Sequence, residues 1–139
     1  MRPSPSPSPF SSFIALSGRI LLAAIFLVSG IGKVSDASGT IGYIASSGLP
    51  LPEMAYGLAL GLELGGAVLL LLGYQARGTA LLMALFSVAT AVGFHADFND
   101  QNQLFHFLKN LAVAGGLLQV CAFGAGAWSV DAMRSGKDT

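Results

Sequence analysis

Four long apolar runs separated by short polar breaks organise the chain. The first covers residues 13–33, has ILLAAIFLVSG at its heart, and carries Arg19 inside it and Lys33 at its end. The second follows Pro52, a residue tolerated in a first helical turn, and Glu53, whose charge suits the same position; it covers residues 53–73. The tight link GYQARG leads to a third run, 78–95, and the polar stretch ADFNDQNQ separates it from a fourth, 104–123. At 1.5 Å per helical residue each run is about as long as the hydrocarbon layer is thick. Short links favour antiparallel neighbours. The pattern therefore predicts an all-α fold, an integral membrane four-helix bundle over residues 13–124.

The intervening and flanking segments are of another kind. Residues 1–12 alternate Pro and Ser, which cannot build a helix ladder, and read as a disordered, partly polyproline II tail. Residues 34–52 are too polar to span, although TIGYIA within them suits a short interfacial helix. Residues 125–139 read as a second polar tail. Arg19 interrupts the first apolar run and no A-x-A site follows it, so that run is expected to be a span and not a cleaved leader.

Composition adds the solvent. With 53% hydrophobic residues, 10% charged and a mean hydropathy of +0.68, the chain falls far below the roughly one-quarter charged content of soluble domains. The 7 basic and 7 acidic residues cancel, which removes the electrostatic case for nucleic acid or for a polybasic lipid-binding surface. A single cysteine, Cys121, excludes an intramolecular disulfide and a cysteine-based zinc site. Among the loop charges Arg2, Arg77, Arg134 and Lys137 fall on one side and Lys33 on the other, so both termini are expected in the cytoplasm.

In lipid, helices meet through small residues that let backbones approach. The second run has two such stripes, Gly57, Gly61 and Gly65, and about opposite them Ala55, Ala59, Glu63 and Ala67, which predicts a helix touched on both sides. The third aligns Ala80, Ala84, Ser87, Ala91 and His95; the fourth places Ala112 and Gly116 on the side of Lys109; the first aligns Arg19, Ala23, Phe26, Gly30 and Lys33.

Glu63 falls about 15 Å from the start of its helix, near the bilayer midplane, where a carboxylate costs about 2.5–3.5 kcal/mol unless paired or protonated. It should face the bundle. Arg19, about 9 Å in from one surface, and Lys109, about 8 Å in from the other, are its expected partners. The trio reads either as a device that fixes helix register or as a ligand or proton site. At the outer end His95, Asp97, Gln103, His106, Lys109 and Asn110 are expected to form a polar vestibule. Two histidines at this spacing do not define a haem or metal site, and bonding to Gln, Asn or water is the expected role. No metal ligand set and no catalytic triad is read. The candidate ligand-binding residues are thus Arg19, Glu63, His95, His106, Lys109 and Asn110.

Three motifs, GRILLAAIFLVSGIGK, GLELGGAVLLLLGYQARG and FHFLKNLAVAGGLLQV, resemble the DoxX family of small bacterial membrane proteins, over about residues 17–123. The resemblance implies a four-helix, multi-pass protein of the bacterial cytoplasmic membrane associated with quinone-linked or oxidative-stress redox systems. The chain lacks groups that do redox chemistry unaided, so the expectation is an accessory or anchoring subunit without autonomous catalysis, held by the bilayer and by a membrane or redox partner or a second copy of itself. The alternatives are a binder of a quinone or other small amphiphile through the Arg/Glu/Lys charges, and a small transporter. Quinone is the one cofactor suggested.

Overall fold

The computed structural model describes residues 6–136. The chain forms α1 (Pro9–Ser35), α2 (Ala37–Ser46), α3 (Pro52–Leu72), α4 (Ala76–Phe94), α5 (Gln101–Phe123) and the short α6 (Val130–Ser135), with no strand among the described residues. Helices α1, α3, α4 and α5 are each long and apolar enough to cross a membrane, and they coincide with the four apolar runs.

The ends of the chain differ from the expected tails. Ser8 Oγ accepts from the Ser11 amide at 3.1 Å, and Pro9 sits in the first turn, so α1 begins four residues before the expected boundary. Serine as N-cap and proline in the first turn are helix-starting devices. Residues 9–12 therefore belong to α1; residues 1–5 of the expected tail, Arg2 among them, and Lys137 lie outside the described residues. The segment after α5 also folds, with Ser129 capping α6.

α4 and α5 pack most extensively as an antiparallel hairpin, and α1 lies along the second half of α3 and touches α5. The core is built around Ala23, Phe26, Ala67, Leu70, Met83 and Leu117. Small residues let these helices close up: a Cβ on Gly66 would lie 2.8 Å from Met83 Sδ, and one on Gly116 would lie 3.1 Å from a Leu22 methyl. Outside, Leu21, Val28, Leu82, Leu85 and Val92 are exposed, a belt suited to lipid.

The predicted faces of α1 and α4 are buried through Arg19, Ala23, Phe26 and Gly30, and through Ala80, Ala84, Ser87 and Ala91. On α3 only one of the two stripes is covered. Ala59, Glu63 and Ala67 are buried, whereas Gly57, Gly61 and Gly65 are exposed with open space where a Cβ would stand, because α1 and α4 both approach from the other side. Ala112 is likewise exposed, although Gly116 packs as expected.

Candidate functional site

The three intramembrane charges do not form one cluster. They are divided between the two ends of the bundle, and the reason lies in the antiparallel pairing of α1 with α3. Arg19 comes opposite Leu70, and Glu63 is seven residues, about 10 Å, back along α3 toward the other end.

At the first end Arg19 is 1% exposed, and its guanidinium donates to the carbonyl oxygens of Leu70 at 3.0 Å and Leu71 at 2.9 Å, and to that of Trp128. The last carbonyls of a helix lack partners within it, and a cation there also suits the helix dipole. Arg19 thus caps α3 and ties the chain after α5 to it, in place of the expected pairing with Glu63. Gly73 ends α3 at φ +66°, and a Cβ on it would lie 2.5 Å from Arg19 Nη1. The Asp131 carboxylate accepts from the amides of Gln75 and Ala76, each at 2.8 Å, and so caps α4, whose own N-cap residue, Gln75, makes no side-chain cap. Arg77 donates to the carbonyls of Cys121 at 3.1 Å and Ala122 at 2.6 Å, closing α5. Arg19, Arg77 and Asp131 thus each serve a helix terminus, while Arg134 lies over the Tyr74 ring, 5.2 Å from its centroid.

The second end is built differently. Residues Gly61–Gly65 form a π turn, so that Glu63 projects from a widened stretch of α3; such turns recur at functional sites. Glu63 is 4% exposed, and its Oε1 accepts from Lys33 Nζ at 2.9 Å and Ser29 Oγ at 3.1 Å, while Lys33 Nζ also donates to Ser29 Oγ at 2.9 Å. The other carboxylate oxygen, Oε2, is buried without a hydrogen-bond partner. Gly30 permits this approach, since a Cβ there would lie 2.5 Å from Leu64 Cδ2 and 3.4 Å from Glu63 Cβ.

Lys33 and Glu63 belong to the wall of a cavity of about 750 Å³, within the size range of small-molecule sites. Leu58, Leu62 and Phe86 give it apolar sides, α2 contributes Gly39, Thr40, Tyr43 and Ile44, and α5 contributes Lys109 and Asn110. α2 is fastened to α4 by Tyr43, whose ring stacks on Phe94 with centroids 5.5 Å apart.

Of the expected site residues, Glu63, His95, Lys109 and Asn110 reach this cavity. Arg19 is at the other end. His106 is not part of the wall; it stacks on His95 with centroids 5.0 Å apart, and its Nδ1 accepts from Lys109 Nζ at 3.1 Å. His95 Nδ1 donates to Gln103 Oε1 at 2.8 Å, because an amide oxygen only accepts. Sequence reasoning missed Lys33 and Ser29 as partners of Glu63. The topology count takes Lys33 as a charge near a span end, although its place on the Arg19 stripe and its i, i+4 spacing from Ser29 are signals that it turns into the bundle. The π turn and the contribution of Tyr43 had no legible signal.

Comparison with known proteins agrees with this fold. The DoxX family model matches residues 14–96. The chain is 37% identical to the inner membrane protein YqjF of Escherichia coli (strain K12) over 125 residues, which is 88% of this chain and 92% of that protein. It is 35% identical to the inner membrane protein YphA of the same organism over 124 residues, 85% of this chain and 88% of that one. No solved structure matches.

Proposed function

The chain belongs to the DoxX family, and from that premise we propose that it is an inner-membrane binder of a small amphiphile of the quinone class. In this reading the polar head lies against Lys33 and Glu63, and the apolar part lies among Leu58, Leu62 and Phe86. The observation that carries it is the ion pair of buried Glu63 with half-buried Lys33 in the wall of a cavity about 750 Å³ in size. A pair needed only to fix helix register would be expected to pack against side chains; a pair facing a cavity keeps one side for a ligand.

Replacing one member of a buried pair leaves an uncompensated charge, whereas replacing both is often neutral for stability. The Lys33→Met/Glu63→Gln double variant in lipid nanodiscs is therefore the test. It should unfold within about 1 kcal/mol of the wild type yet lose saturable binding of decylubiquinone and of its reduced form. A double variant that binds as the wild type does, or a wild type that binds neither form, would refute the reading.

The end bearing Arg77 and Arg134 is assigned to the cytoplasm on the positive-inside rule; Lys33 and Lys109 then belong to the opposite half. Reporter fusions after Ser135 and within residues 96–100 should give opposite signals.

A second reading, an accessory or anchoring subunit of a membrane redox system, is favoured by the exposed Gly57, Gly61 and Gly65 face, which suits close approach of a partner transmembrane helix. Crosslinking from Gly61→Cys in native membranes should then capture one defined partner, and labelling by lipid alone would count against it.

A further inference from the structure

The end of the bundle opposite Glu63 carries an open cleft of about 920 Å³ between the start of α4, the end of α5 and α6. Two arginines stand in its wall, Arg77 and Arg134, with Asp131 as the one carboxylate among the described wall residues. Asp131 is already engaged by the Gln75 and Ala76 amides, and neither arginine forms an ion pair among the described residues. A net charge of zero for the whole chain excludes a polybasic surface but not a local excess of this kind.

Both guanidinium groups are held in place and still have donors to offer. Arg77 commits Nη1 to the carbonyls of Cys121 and Ala122, which leaves Nη2 and Nε without a partner among the described residues. Arg134 lies over the Tyr74 ring, and its guanidinium donates no hydrogen bond within the described residues. Gly126 and Ala127, also in the wall, have amides that donate to no group of the described residues.

We propose that this cleft binds the phosphate head of an anionic bilayer lipid, received by Nη2 and Nε of Arg77 and by the Arg134 guanidinium. The planar fork of a guanidinium matches two phosphate oxygens at once, and stacking on a ring fixes its orientation beforehand. The source of the phosphate follows from position. Phe123 lies in the same wall and is 79% exposed, and Trp128, next to Ala127, is half-exposed, so the cleft opens where aromatic side chains mark a membrane surface. A lipid head held there leaves its chains to run past Phe123 into the hydrocarbon. Basic pockets between helices on the cytoplasmic side suit anionic head groups, whereas a zwitterionic head brings a cation of its own to a wall whose one carboxylate is engaged. The site is independent of the Glu63 cavity and of what that cavity holds.

Trp128 is the one tryptophan of the chain, and its fluorescence reports on this cleft. The test compares its quenching in nanodiscs by brominated phosphatidylglycerol and by brominated phosphatidylcholine at equal fractions. Phosphatidylglycerol should be favoured by at least about fivefold, the effect of about one arginine at a membrane surface. In Arg77→Lys/Arg134→Lys, which keeps the charge and removes both forks, the preference should fall below about twofold. A preference that the lysine variant retains reflects diffuse attraction alone and overturns the site, as does equal quenching by the two lipids on the wild type. Excess glycerol 3-phosphate should leave the quenching unchanged; if it relieves it, the ligand is a soluble phosphate and the lipid assignment fails. The Arg134 side chain has no hydrogen bond to lose, so if the double variant does not fold, Arg134→Lys decides alone: a lowered preference supports the site and an unchanged one refutes it.

Discussion

Arg19 and Glu63 are both almost fully buried, 1% and 4% exposed, yet their surroundings are opposites. Arg19 is met by carbonyls from two segments, the end of α3 and the chain before α6, which its two terminal nitrogens close, while its Nε is buried without a partner. Glu63 has one oxygen doubly bonded and the other without a partner, on a π turn beside a cavity. One end of the bundle uses buried charge to hold backbone together; the other sets it in the wall of a cavity. Burial of a charge is therefore no guide to its role until its partners are known, since backbone partners make it architectural and an ion pair in a cavity wall sets it beside the space for a ligand.

If that contrast is right, substitutions at the Arg19 end should act on stability and those at the Glu63 end on binding. The largest effect is expected from Arg19→Met, which removes the donor to the Leu71 and Trp128 carbonyls and one of two donors to that of Leu70; it should cost about 3 kcal/mol in detergent unfolding. Gly73→Ala comes next. It places a Cβ at φ +66° and against Arg19, Ser129 and Ala125, for about 2 kcal/mol on the same measurement. Asp131→Ala removes the cap of α4 borrowed from the following segment and should cost about 1 kcal/mol, with faster proteolysis after Phe123. None of these should alter ligand affinity among molecules that remain folded, and a matching loss of affinity would break the comparison. Tyr43→Ala, which unstacks α2 from Phe94, sharpens it from the other side: about 0.5 kcal/mol of stability at most, but a several-fold faster ligand dissociation by stopped flow.

The span pattern was legible because crossing hydrocarbon demands it. Every backbone group must be bonded within a helix and nearly every side chain must be apolar, so the four runs could hardly have been anything else. The buried faces of α1 and α4 were legible for a related reason, as small residues at helical spacing. On α3 the same argument found two faces where one is used, because a stripe of glycines records that a close approach is allowed and not that a neighbour within the chain makes it. The pairing of Glu63 with Arg19 failed on geometry. An arginine beside the end of α3 finds helix-terminal carbonyls before it finds a carboxylate about 10 Å away.

The sequence by itself determined the solvent, the number and approximate placement of the spans and their family membership, all consequences of local composition and period. It also determined that Glu63 faces the bundle, since lipid would not hold it. Only the tertiary structure decided which cation meets that carboxylate, that Asp131 and Arg77 close helices remote from them in sequence, and that α2 and the π turn bound a cavity. Those outcomes depend on how antiparallel helices register against one another to within about one turn, roughly 5 Å, and that register is fixed by the sum of all their contacts and not by any stretch of sequence alone.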